Sequence, residues 1–211
     1  MRSVRVAVID SGVHADHPHV GGVAGGIGIG EDGKPHDDFV DRLGHGTAVA
    51  AVIREKAPAA EIYCIKVFDR ELAATGTALV SAIEHALDNG AHIINLSLGT
   101  ANSDHEEALT RAIDRALKTG IIVIAAGEQE GVRWLPGALR GVWPVLLDWS
   151  MPREECRVML RAGSPPICYA SGYPRPIPGV PPDHNLKGLS FAVANATGTV
   201  AASMLVTPQR Y

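Results

Sequence analysis

The chain has 211 residues, 46% hydrophobic and 20% charged, with a net charge of −4. This length fits one domain able to bury about 70% of its unfolded surface, and the composition excludes a disordered chain. The mild negative charge leaves no electrostatic footprint for nucleic acid, and no run approaches the roughly 20 apolar residues of a membrane span.

In chain order, short apolar runs alternate with amphipathic helices, the pattern of a parallel sheet covered on both faces. Residues 4–9 form a near-continuous apolar run, broken by Arg5, suited to a strand buried on both sides. The run ends at Asp10-Ser11-Gly12. His45 stands between Gly44 and Gly46, ahead of the apolar stretch 48–53. Further strands are expected at 61–67, 92–98, 121–126 and 143–147. A helix is expected over 77–89, with Val80, Ile83, Ala86 and Leu87 on one face and Gly90 as its stop. A second is expected over 104–119, started by a capping box of Ser103 and Glu106 and ended by Gly120. The segment 173–182 carries five prolines and reads as an extended loop. A last helix begins near Ser190 and runs to about Ser203. The expected fold class is α/β: three layers, with a mostly parallel central sheet and helices on both faces.

Three residues draw attention as chemistry. Asp10 ends a buried strand, where open α/β sheets place functional groups. His45, flanked by glycines at a helix start, suits a general base. Ser190 opens a helix of small residues, where the helix dipole favours a nucleophile. Singly these read as a turn aspartate, a helix-start histidine and an N-cap serine. Together they supply nucleophile, base and orienting carboxylate. Cys64, Cys156 and Cys168 are odd in number and lack metal-ligand spacing. They read as free thiols, which fits a reducing, cytoplasmic location; a bridge between Cys156 and Cys168 is the lesser alternative. Asp37, Asp38 and Asp41 read as a solvated loop.

Five segments together resemble the subtilisin-like serine protease family. VAVIDSGV (residues 6–13) resembles its aspartate motif. GHGTAVA (44–50) resembles its histidine motif, with Ala48 where a second histidine is usual. KGLSFAVANATG (187–198) resembles its serine motif, with Leu189 for threonine, Phe191 for methionine and Asn195 in the proline-histidine region. INLSLG (94–99) and IIVIAAG (121–127) resemble the segments lining its substrate channel. The resemblance spans residues 4 to about 203 and keeps the order Asp, His, Ser. It implies a subtilisin-like fold, with Ser190 as nucleophile, His45 as base and Asp10 as its orienting carboxylate. Ser97, Leu98 and Gly99 would pair with substrate backbone, and Ala125, Ala126 and Gly127 would form a pocket wall with space for a large side chain.

The departures from the family shape the expected function. Where the family has an asparagine that donates to the oxyanion, this chain has Glu128, whose carboxylate only accepts. Losing such a donor costs about 10²–10³ in rate. Gln129, next in sequence, carries an amide that substitutes if the turn shifts by one residue. The His14, His17 and His19 cluster has an ordinary structural place in the family's loop after the aspartate motif, and His19 stands where a calcium-binding aspartate is common. No metal and no cofactor are expected. Residues 1–211 are read as one domain, shortened after Ser190 and without a propeptide. The expected function is endoproteolysis of a peptide or protein substrate through an acyl-enzyme, restricted to substrates such as a precursor (leader) peptide. The alternative is a catalytically impaired subtilisin-like binding or scaffold protein, or a partner-dependent subunit or oligomer. Neither nucleic acid nor membrane is an expected partner.

Overall fold

A computed structural model describes residues 3–206 of the chain. Nine strands form one sheet: β1 (Arg5–Asp10), β2 (Gly25–Ile29), β3 (Pro35–His36), β4 (Glu61–Lys66), β5 (Ile93–Leu96), β6 (Ile122–Ala126), β7 (Trp143–Leu147), β8 (Cys156–Arg161) and β9 (Ser164–Ala170). Their order is β3-β2-β4-β1-β5-β6-β7-β9-β8. All neighbours from β2 through to β9 run parallel, while β3 and β8 close the two edges in antiparallel pairs. Four helices cover it: α1 (His45–Lys56), α2 (Gly76–Asp88), α3 (Glu106–Lys118) and α4 (Leu189–Val206).

The apolar runs explain the layers. In β1, Val6 and Val8 face a core shared with α1 and α4, whereas Ala7 and Ile9 face a core shared with α2 and α3. The unbroken apolar run Val6 to Ile9 within β1 is what burial on both faces demands. The fold is therefore the expected three-layer α/β arrangement. The chain steps from β1 to β4 on one side, then crosses back through α2 to β5 on the other. The carboxyl ends of β1 and β5 lie at this switch point, where such sheets open a crevice.

α4 is apolar all round and long enough to span a membrane by length and composition, contrary to the sequence expectation. Its burial explains the composition: residues 191–198 are all buried in the core. At Gly198 it crosses α1 so closely that a Cβ would lie 2.8 Å from Lys56 Cβ and 3.3 Å from Ile53 Cα.

The remaining differences have local causes. The expected capping box does not form; Asn102 instead accepts from the Asp104 N–H (2.9 Å) and starts a short 3-10 turn, Ser103–His105, ahead of α3. β2 is glycine-rich, β8 is largely exposed and β9 holds two prolines, so none of them carried the buried apolar signal of the inner strands. Cys64, Cys156 and Cys168 are free thiols.

Candidate active site

Asp10 is the last residue of β1 and is 1% exposed. Its Oδ1 accepts from the Ser11 N–H (2.7 Å) and lies 2.7 Å from His45 Nδ1. His45 is the first residue of α1, behind Gly44 in the left-handed region at φ 80°. Gly46 must be glycine: a Cβ there would sit 2.2 Å from the Gly12 carbonyl oxygen. This contact lets α1 begin directly against the end of β1 and brings imidazole to carboxylate.

A second carboxylate organises the same corner. Asp41, read from sequence as part of a solvated loop, is 1% exposed. Asp37 beside it is exposed and Asp38 half-buried. Asp41 Oδ1 accepts from the Ser11 hydroxyl and from the Leu43 and Gly44 N–H groups, each at 2.9 Å. Its Oδ2 accepts from the Thr47 N–H (2.9 Å) and the Thr47 hydroxyl (2.6 Å). The Ser11 hydroxyl oxygen in turn accepts from the Gly46 N–H (2.9 Å). Asp41 thus ties the turn before His45 to the turn after Asp10. Its place four residues before His45, at a helix start, was the available signal.

The electrostatics follow. Burial pushes the Asp41 carboxyl up, but the donors from Thr47, Leu43 and Ser11 outweigh it and hold it below the ordinary carboxylate value. Burial likewise pushes the His45 imidazolium down, but the hydrogen bond and charge of Asp10, with the charge of Asp41, raise it above the ordinary histidine value.

Ser190 occupies the first turn of α4. Its hydroxyl donates to the Ser97 carbonyl (2.9 Å), and the Ser97 hydroxyl donates to the Ser190 carbonyl (3.0 Å). Asn95 continues this link, its amide donating to Thr197 Oγ1 (2.9 Å). Phe191, next to Ser190, packs its ring 5.5 Å from the His45 ring. The first N–H groups of a helix lack intrahelical acceptors; at the start of α4 those of Phe191 and Ala192 donate to the Gly188 carbonyl (3.0 and 3.4 Å).

His45 and Ser190 line one cleft of about 390 Å³, together with Ser97, Leu98, Gly99, Ala126 and Gln129. Ala125 is fully buried in the sheet, and the Gly127 N–H is committed to the Val145 carbonyl (2.9 Å). Of the expected pocket wall, only Ala126 reaches the cleft. Glu128, expected at the oxyanion position, is exposed and does not line the cleft, whereas Gln129 does. The cause is a tight turn. Gln129 and Val132 exchange backbone hydrogen bonds (3.3 and 2.9 Å) around Glu130 and Gly131, both at positive φ. Trp134, which no sequence signal singled out, also stands in the cleft. Among the described residues no group of three metal-ligating side chains converges.

The family model for the subtilase family matches residues 1–142. The chain belongs to the subtilase family. Subtilisin E of Bacillus subtilis (strain 168) is 33% identical over 138 residues, covering 61% of this chain and 35% of that protein. The thermostable alkaline protease of Halalkalibacterium halodurans is 35% identical over 153 residues, covering 67% of this chain and 40% of that protein. The chain therefore spans less than half the length of these two curated relatives. Among solved structures, the prenylagaramide maturation protease PagA matches with TM-score 0.66 and 25% identity, over 94% of this chain and 74% of its own. A lanthipeptide protease shares the fold at TM-score 0.70 and 24% identity, over 94% and 72% of the two chains. Ser190 lies beyond the residues that the family model matches.

Proposed function

We propose that this subtilase is a serine endopeptidase that cleaves a restricted set of peptides, precursor peptides above all. The observation that carries the reading is the Asp10–His45 pair, 2.7 Å apart, with His45 lining one cleft with Ser190. Ser190 Oγ attacks the scissile carbonyl as its proton passes to His45. The leaving amine takes that proton, and water then hydrolyses the Ser190 ester with His45 again as base. Asp10 holds the imidazole in the tautomer whose Nε2 is free to accept. The oxyanion is held by the Ser190 N–H at the start of α4 and by the Gln129 side-chain amide, which has no hydrogen-bond partner within the described residues. Ser97, Leu98 and Gly99 pair with substrate backbone. Restriction to precursor peptides is supported by the likeness to the prenylagaramide maturation protease PagA.

An active-site fluorophosphonate tests the chemistry. Wild type should label with loss of fluoride, and Ser190→Ala should not label and should lose peptidase activity by about 10⁶-fold. Casein should be cleaved far more slowly than a precursor-derived peptide. Absence of labelling between about pH 5 and pH 9, a window set by histidine titration, would sink the reading. It would favour a subtilase-fold binding protein, to which the commitment of the Ser190 hydroxyl to the Ser97 carbonyl lends support.

A further inference from the structure

The two edges of the sheet are built differently. β3 is two residues long and starts with Pro35, which has no N–H to offer, so this edge is a poor template for another strand. β8, at the opposite edge, is six residues long and contains no proline. An edge strand turns alternate N–H and C=O groups away from its sheet. In its middle, Val158, Met159 and Leu160 are 38%, 41% and 80% exposed. Three consecutive exposed apolar residues beside unspent backbone donors and acceptors make a surface suited to pairing.

The charges around β8 identify the strand that fits it. Glu155 precedes the strand and Arg161 ends it. Both are exposed, and neither side chain has a salt-bridge partner among the described residues. The Arg161 guanidinium reaches only the Pro165 carbonyl (3.4 and 3.2 Å). Arg157 is already held within the chain, 4.5 Å from the centre of the Tyr169 ring and 3.9 Å from Asp148. A second β8, laid antiparallel about a two-fold axis at Val158, sets Glu155 opposite Arg161 of the second copy, and symmetry makes that pair twice. Side chains alternate between faces. On one face Cys156, Val158 and Leu160 then meet Leu160, Val158 and Cys156 of the copy. That is the face on which Cys156 packs against the α1–α4 core, so the new contact extends an apolar layer. On the other face Arg157 meets Met159 of the copy. Other registers fit worse. An axis at Arg157 or at Met159 sets arginine against arginine, one at Leu160 leaves Glu155 without a base, and one at Cys156 pairs only the start of the strand.

We propose that β8 pairs with β8 of a second copy of this chain, joining two nine-stranded sheets edge to edge in a symmetric dimer. Antiparallel pairing turns the copy end for end, so the two clefts open in opposite directions and neither is covered. The dimer is therefore independent of the peptidase reading above. A contact made mainly by one strand is smaller than a full interface, which sets a dissociation constant of about 10–100 µM.

Sedimentation equilibrium of the whole chain between about 1 and 300 µM tests this. Wild type should move from the mass of one chain toward that of two. Glu155→Arg and Arg161→Glu each set like charges against one another at both ends of the pairing, and each should raise the dissociation constant by about 10-fold or more. An equimolar mixture of these two variants restores both opposite-charge pairs in a heterodimer. It should associate about as tightly as wild type, which also shows that both variants are folded. If either charge variant does not fold, Leu160→Lys decides, with an expected weakening of about 10-fold. A wild type that stays a single chain across the range overturns the proposal. So do charge variants or a Leu160→Lys variant that associate like wild type, and a mixture that associates no better than its components. A single-chain wild type that binds an extended peptide, with affinity lost in Leu160→Lys, would give the edge to a peptide and overturn it too. Fluorophosphonate labelling should be equal in wild type and all three variants, and its failure in all of them would sink the peptidase reading while the masses still decided the dimer.

Discussion

At the Asp10–His45 end of the cleft the polar groups are held by a closed set of short hydrogen bonds. Asp41 alone accepts five, from Ser11, Leu43, Gly44 and twice from Thr47. At the Ser190–Gln129 end the polar side chains are less committed. The Ser190 hydroxyl rests on a carbonyl, and the Gln129 amide has no partner among the described residues. The difference separates two jobs. A general base works from one fixed geometry, which a buried network enforces. Groups that meet a charge present only during reaction are useful when their donors remain unspent in the resting state.

The largest expected effect breaks the second end. Gln129→Ala should lower kcat by about 10²–10³-fold with little change in KM, the signature of a donor used only in the transition state. Glu128→Gln should leave kcat within about twofold, because an exposed charge outside the cleft acts weakly through water. Steady-state rates on one peptide decide between them. The opposite ranking would return Glu128 to the oxyanion position and require the turn at Glu130 and Gly131 to reorganise in solution.

The next effect breaks the first end, and it should appear as stability rather than rate alone. Asp41→Ala strands five donors in a buried turn, so unfolding free energy should fall by about 3 kcal/mol. Urea midpoints at constant slope would measure it. The sign with pH follows from the depressed Asp41 carboxyl. Its stabilisation is fully present above the unfolded carboxylate pKa of about 3.9 and is lost as pH falls through the lower folded value. In Asp41→Ala that part of the acid sensitivity should disappear.

The same division governs how much could be read from the residues. The inner strands announced themselves: residues 4–9, 61–67 and 121–126 are apolar at nearly every position, and β1, β4 and β6 form there. The placement of Asp10 at a strand end and of His45 and Ser190 at helix starts was legible because flanking glycines and a small-residue helix carry local signals. What stayed hidden depends on contacts between distant segments. Asp41 looks like its exposed neighbour Asp37 until Ser11, 30 residues away, donates to it. Gln129 takes the cleft in place of Glu128 through the hairpin at Glu130 and Gly131. Trp134 enters the cleft only because Leu135 pairs with Thr100 across the chain. β8 and β9 form at an exposed edge, where no buried face writes a pattern.

The smallest expected effect separates the two ends within a single pH profile. As the proposed base His45 must be neutral to accept the serine proton, and its imidazolium is held above the ordinary histidine value by Asp10 and Asp41. The acid limb of kcat/KM should therefore lie above about 6.5, the unperturbed histidine pKa, with activity rising as pH rises through it. Asp41→Asn removes one of the two negative charges while keeping a side chain that can accept from Thr47. The limb should then move toward lower pH. Gln129→Ala, acting on the oxyanion and not on the base, should lower the plateau and leave the limb where it was. If both variants moved the limb equally, Gln129 would be acting through His45 and the two ends would be one network. If neither moved it, the observed limb would belong to a group other than His45, and the Asp41 charge would have no hold on the base.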